Sequence, residues 1–275
     1  MRFRFLLYFL LLLFSGCSRF YSKRYRDIDY DHSDHLKLDV YKPLRKEKGK
    51  REVLVFIHGG NWSTGDKGLY KFFGRGMARK NVVTVVIDYR LYPDTNYIGM
   101  AMDAAKAIKW VRDSISKYGG DPDKIFVSGH SAGGHLAALL STDDTYFRKL
   151  GIQNPIRGCI LIDPFGLDMY TYLKKNEKYK FEEYRTIFTK DTLQWKAGSP
   201  ITYLHQGMPK MLMFRGGRTY PNIKEETADF LPLVQKFQPD AKLFIVPRKR
   251  HAGMIFSFAN PHKKEYKYIL SFMGE

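Results

Sequence analysis

The chain of 275 residues has two cysteines, Cys17 and Cys159. So few exclude a disulfide-built scaffold, and without any CxxC, HExxH or His/Cys cluster there is no pattern for a metal site. No Walker or Rossmann glycine signature is present, so nothing points to a nucleotide. No internal repeat or low-complexity linker divides the chain. Acidic residues are also short: 28 Asp and Glu stand against 46 Lys and Arg, a formal charge of +18. Such a balance suits anionic lipid, acidic polysaccharide or nucleic acid. Yet the cations are scattered through amphipathic segments, with small clusters only at Lys46 to Arg51 and Arg248 to Arg250. No nucleic-acid module accompanies them, so the reading is a solvated basic surface and no nucleic-acid partner. With no metal and no cofactor indicated, any chemistry must come from side chains.

Residues 1–17 read as an export signal outside the fold. Arg2 and Arg4 precede an apolar run from Phe5 to Phe14, too short to span a bilayer and of signal-core length. Ser15-Gly16-Cys17 then resembles a lipobox, with Phe14 a departure where an aliphatic residue is usual. This predicts a lipidated Cys17 and a membrane-anchored domain outside the cytoplasm, on the periplasmic or outer-surface side. Loss of Arg2 and Arg4 leaves a charge of +16, and Cys159 then stands alone in the mature chain.

From Ser18 to Glu275 the chain is long enough for one domain with a substantial core. Strands are predicted at Leu36 to Tyr41, Val53 to Ile57, Val82 to Asp88, Ile125 to Ser128, Ile156 to Ile162, Met211 to Phe214 and Leu243 to Val246. Helical periodicity marks Ile98 to Tyr118, Lys224 to Phe237 and Lys263 to Met273. Alternation of this kind predicts an α/β fold with a mainly parallel sheet covered on both faces, binding ligands where its strands end. One stretch breaks the rhythm. Residues 168–210 form a lid-like insertion with Tyr170, Tyr172, Tyr179, Phe181, Tyr184, Phe188 and Trp195 among many charges; it reads either as a roof over the site or as a peripheral helix pair.

Two motifs carry chemistry. Ile125-Phe126-Val127-Ser128 leads into Gly129-His130-Ser131-Ala132-Gly133-Gly134 and then an Ala/Leu run, so the chain reads strand, sharp turn, helix, with a serine at the apex. Small neighbours let strand and helix cross beneath a strained Ser131, the arrangement of a nucleophile elbow. His58-Gly59-Gly60-Asn61-Trp62 follows a buried strand, where consecutive glycines let backbone N–H groups face a cavity. The predicted oxyanion donors are Gly60, Asn61 and Ala132.

These segments, together with Gly65-Asp66-Lys67, Asp88-Tyr89-Arg90-Leu91 with Pro93, and Tyr118-Gly119-Gly120-Asp121-Pro122-Asp123-Lys124, resemble the α/β-hydrolase superfamily. Within it they resemble bacterial esterases related to hormone-sensitive lipase and to feruloyl and acetyl-xylan esterases. The resemblance runs from about Leu36 to the end. It implies an eight-stranded, mainly parallel sheet, no cofactor, and a Ser-His-acid triad cleaving short acyl or carbohydrate-linked esters through an acyl-enzyme. The general base would be His251, in the loop after the last strand. His32, His35, His58, His130, His135, His205 and His262 lack that position.

The acid departs from the resemblance. After Met211 to Phe214, where a carboxylate is usual, the chain reads Arg215-Gly216-Gly217-Arg218-Thr219-Tyr220-Pro221. Asp163, at the tip of the preceding strand, resembles the alternative acid of pancreatic-type lipases. Asp168, Glu225, Glu226 and Asp229 also lie between Ser131 and His251. Should no acid reach the histidine, the chain would instead be a non-catalytic, ligand-binding relative with a degraded triad.

Overall fold

The computed structural model describes residues 21–46, 48–176 and 182–274. The expected signal segment with Cys17, and Tyr179 and Phe181 of the insertion, lie outside the described residues. One sheet contains β1 (Ser22–Asp31), β2 (Leu36–Pro43), β3 (Arg51–Ile57), β4 (Val83–Ile87), β5 (Gly120–His130), β6 (Ile156–Ile162), β7 (Lys210–Gly216) and β8 (Lys242–Val246), in the order β1-β2-β4-β3-β5-β6-β7-β8. The β1–β2 and β2–β4 pairs are antiparallel and all others parallel. The described helices are α1 (Lys71–Arg79), α2 (Tyr97–Ser114), α3 (Ala132–Thr142), α4 (Thr145–Lys149), α5 (Met169–Lys175), α6 (Glu182–Ile187), α7 (Thr192–Ala197), α8 (Pro221–Gln235), α9 (His251–Phe256) and α10 (Lys264–Gly274). This is the eight-stranded α/β-hydrolase sheet expected from the motifs.

The central strands read as unbroken apolar runs because both of their faces are buried. β3 sends Val53, Val55 and Ile57 into a core shared with α2, α3 and α8, and Leu54 and Phe56 into a second core shared with α1, α9 and α10. β7 divides likewise, Met211 and Met213 on one side and Leu212 and Phe214 on the other. The helix expected over Ile98 to Tyr118 is α2 closed by a 3-10 turn, Ile115–Tyr118. It starts where the Asn96 carboxamide oxygen accepts the Ile98 and Gly99 N–H groups at 3.0 and 3.3 Å, satisfying two amides of the first turn.

β1 has no counterpart among the expected strands. Its sequence is dense in charge, its pairing with β2 is broken by two register shifts, and Asp27 has a φ of +55°. What fixes it is a buried charge contact: Asp39 on β2 accepts from the Arg24 guanidinium and, at 3.0 Å, from the Asp27 N–H. As an edge strand it is held by such contacts, by pairing and by Tyr25, Ile28 and Tyr30, which pack half-buried on the core.

The topology defines two ends. The parallel strands β3 to β8 all finish at one end, from which the Ser131, Asp163 and His251 segments and the His58 turn emerge. The chain enters at the other: Ser22 pairs with Pro43, and Tyr41 with Thr84 near the start of β4. All strands and both cores lie within residues 22–274, so a chain beginning at Ser18 keeps every described contact.

Candidate active site

Ser131 joins β5 to α3 with φ 56° and ψ −122°, an unfavourable backbone for a residue with a Cβ, imposed by the turn beneath it. The turn can close only over glycine. A Cβ on Gly129 would lie 2.1 Å from the Gly133 carbonyl oxygen, and one on Gly133 would lie 2.2 Å from that of Ile57. Ala132, the first residue of α3, presents an N–H at the helix start.

The loop after β3 turns through Gly60 at φ +138° and Asn61 at φ +55°. The Ser63 and Thr64 N–H groups close it by donating to the Gly60 carbonyl at 3.1 and 2.9 Å. The Gly59 N–H donates to the Tyr70 hydroxyl at 3.1 Å. The N–H groups of Gly60 and Asn61 meet no acceptor among the described residues, and both residues line one cavity with Ser131 and His251.

His251 opens α9, just beyond β8. Its Nε2 lies 2.9 Å from Ser131 Oγ and its Nδ1 2.7 Å from Asp163 Oδ2. Asp163 is fully buried. A φ of +47° turns it off the tip of β6, and its own N–H donates to the Phe214 carbonyl at 2.8 Å. The segment that lacks a carboxylate after β7 supplies donors instead: the Gly216 N–H reaches Asp163 Oδ1 at 2.8 Å, and the Thr219 hydroxyl donates to Oδ2. Three donors therefore converge on one carboxylate.

The other candidate acids are engaged elsewhere. Asp168 accepts the Thr171 N–H at 3.0 Å at the start of α5, and Glu225 pairs with Lys175 at 2.6 Å. Glu226 is buried and accepts the Gly166 and Leu167 N–H groups at 2.7 and 2.9 Å. Asp229 sits on α8 with no described contact to the histidine. Sequence reasoning missed Gly216 and Thr219; the replacement of an acidic turn by Gly-Gly-Arg-Thr was the available signal.

The remaining buried histidines are packing groups. His130 stacks on His251 with centroids 4.7 Å apart, and burial, reinforced by the His251 charge, pushes its pKa down to about 3. His135 is pushed down to about 4 by burial; as neutral imidazole it accepts from Trp62 Nε1 at 3.3 Å and donates to the Gly198 carbonyl at 2.7 Å. His58 is stacked on Tyr89, whose hydroxyl donates to the His58 carbonyl at 2.9 Å.

A BD-FAE family profile matches residues 38–225, most of the chain. The chain belongs to the BD-FAE family. It is 29% identical over 261 residues to an isoprenylcysteine α-carbonyl methylesterase of Arabidopsis thaliana, covering 86% of this chain and 58% of that protein. With the esterase LipQ of Mycobacterium tuberculosis it shares 30% over 214 residues, covering 73% of this chain and 50% of the other. The chain thus spans between half and three-fifths of the length of these two relatives. In structure it is similar to esterase B of Lactobacillus rhamnosis, with a TM-score of 0.77 over 91% of this chain and 86% of that one at 18% identity, a likeness of fold.

Several of the quoted motif residues prove to be scaffolding in this BD-FAE chain. Lys67 bridges Asp88 at 2.7 Å and Asp27 at 3.0 Å, tying the loop after β3 to the end of β4 and to the middle of β1. Arg90 grips the buried Asp103 of α2 through Nε and a terminal nitrogen at 2.9 and 2.7 Å. Above Ser131 lies a cavity of about 720 Å³ whose walls include Phe165, Tyr172, Tyr184, Tyr220 and Ile223. The insertion carries three described helices, and its aromatic residues divide between core and cavity. Phe188 and Trp195 are buried, with Phe188 stacked on Tyr97 at 4.9 Å, whereas Tyr172 and Tyr184 form cavity wall.

Proposed function

We propose that this chain is a serine carboxylesterase. The observation that carries the reading is His251 held between Ser131 Oγ and the Asp163 carboxylate, at 2.9 and 2.7 Å. In this reading His251 Nε2 takes the Ser131 proton as Oγ attacks the ester carbonyl. Asp163 fixes the tautomer and stabilises the imidazolium, and the Gly60, Asn61 and Ala132 N–H groups hold the oxyanion. The proton then passes to the departing alcohol, and water, activated by the same histidine, releases the acyl group and frees Ser131. The binding-protein alternative rested on an absent acid, and the Asp163 contact supplies one. An aromatic cavity of this size suits a small acyl or carbohydrate-linked ester, and relatives named as an esterase and a methylesterase support that class.

The chain from Ser18 should hydrolyse 4-nitrophenyl acetate, and Ser131→Ala should remove the activity; indistinguishable rates for the two proteins would overturn the proposal. The signal-like segment supports a second part of the reading, an exported protein held to a membrane by lipid on Cys17. Cys17→Ala should release the protein or block its processing, and a natural mature form that is soluble and carries no lipid would contradict it.

A further inference from the structure

The end of the sheet where the parallel strands begin carries a concentration of exposed cations. Lys48 and Lys50 stand in the loop between β2 and β3, Lys124 precedes the apolar part of β5, and Arg157, Lys210 and Lys242 sit at the starts of β6, β7 and β8. Lys124 lies 3.6 Å from Glu52, but Arg157, Lys210 and Lys242 meet no carboxylate within 4 Å among the described residues. Asp121, Asp123 and Asp240 are further acids at this end among the described residues, and Asp144 lines a neighbouring groove. At the opposite end, by contrast, Asp27, Asp31, Asp34 and Asp88 gather around Lys67, Arg90 and Lys106.

The cationic end is also grooved. A cavity of about 430 Å³ is lined by Lys124, Arg157 and Lys210 over Phe126, Phe272 and Met273. Another, of about 470 Å³, shares Lys210 and Phe272 and adds Lys242 over Phe244 and Tyr268. A cationic rim above an aromatic floor matches a phospholipid: anionic headgroup at the rim, first methylenes below. The chain enters the fold at this same end. Cys17 precedes Ser22 by five residues, a reach of at most about 18 Å.

We propose that this end of the domain docks on an anionic lipid surface and turns the Ser131 mouth away from it. The orientation rests on the exported, membrane-anchored reading, while the surface itself does not. A basic face beside the tether adds an electrostatic contact to the anchor and sets the orientation of the domain on the surface. The substrate is then met from the aqueous side, not drawn from the bilayer beneath.

The test uses the chain from Ser18, which lacks Cys17. It should co-sediment with vesicles of mixed phosphatidylglycerol and phosphatidylcholine, not with phosphatidylcholine alone, and added salt should release it. The triple variant Arg157→Glu, Lys210→Glu, Lys242→Glu should bind at least ~100-fold more weakly, since each cation at such a surface contributes about fivefold. Its hydrolysis of 4-nitrophenyl acetate in free solution should be unchanged, which reports that it has folded. Independently, an environment-sensitive fluorophore should shift to the blue on the vesicles when placed at Asp240→Cys and not at Arg248→Cys, Cys159 being buried. Equal binding to neutral vesicles, full binding by the triple variant, a blue shift only at Arg248→Cys, or capture of DNA or acidic polysaccharide but no vesicles would each overturn the proposal. An unlipidated Cys17 would leave these outcomes unchanged, so the two readings fail separately.

Discussion

At the scale of single residues, Asp163 stands where three constraints meet: a left-handed backbone, complete burial and three donors. Removing its charge while keeping its shape isolates what the charge does. Asp163→Asn should preserve the fold and lower kcat by about three to four powers of ten, because the imidazole loses both its tautomer control and its counter-charge. Thr219→Val removes one donor and should cost about tenfold. Asp168→Asn and Glu225→Gln, which touch neither reacting group, should stay within about twofold of wild type; steady-state kinetics on one ester orders the series, and a near-normal Asp163→Asn would remove this carboxylate from the mechanism. Chain order and strand tips put Asp163 among the candidate acids, and it lies 2.7 Å from His251 Nδ1. They could not show Gly216 and Thr219, which act on a carboxylate 53 and 56 positions earlier in the chain. Sequence makes a missing acid visible, but what has replaced it is visible only in three dimensions.

At the scale of elements, legibility followed burial. Strands buried on both faces announce themselves as apolar runs, and β6 was read to the residue, Ile156 to Ile162. β1 was illegible because its inward residues Tyr25, Ile28 and Tyr30 are spread among charges and a register shift between Tyr25 and Ile28 breaks their alternation. The insertion was ambiguous for another reason: helical spacing of aromatics looks the same whether a ring packs in the core or walls a cavity. Phe188 and Trp195 took the first role, Tyr172 and Tyr184 the second. Tyr184 packs edge-on against both Trp62 and Phe165, at 5.8 and 5.7 Å, so it joins α6 to the aromatic wall of the cavity. Tyr184→Ala should therefore raise KM about tenfold for esters with a bulky or aromatic acyl group, and about twofold for an acetyl ester that fills less of the cavity. Equal effects on both would mean that the ring only supports the fold.

Across the whole molecule, buried groups outside the proposed proton relay make stability depend on pH, and their shifts oppose one another; His58 is lowered by burial, as are two further histidines. His130 and His135 are depressed by burial to about 3 and about 4. As pH falls below the ordinary histidine value of ~6.5, the unfolded chain takes up protons at these histidines that the folded chain refuses, so stability falls toward acid. Glu226 shifts the other way. Burial raises it to about 8 against the two N–H groups that favour its anion, and its second oxygen has no hydrogen-bond partner. From its ordinary value upward the folded chain keeps a proton that the unfolded chain releases, so stability falls as pH rises toward 8. Below ~6.5 the histidines outweigh the single glutamate; above it their contribution fades and the glutamate comes to dominate. Resistance to urea should therefore peak between pH ~6.5 and ~7 and fall by about 1 kcal/mol from there to pH ~8. Glu226→Gln keeps an acceptor for the Gly166 and Leu167 amides but has nothing to titrate, so it should flatten the alkaline limb and leave the acid limb in place. An alkaline limb that persists in Glu226→Gln would assign the loss to another group, and a wild-type profile flat from pH ~6.5 to ~8 would mean that Glu226 is already ionised in the folded protein.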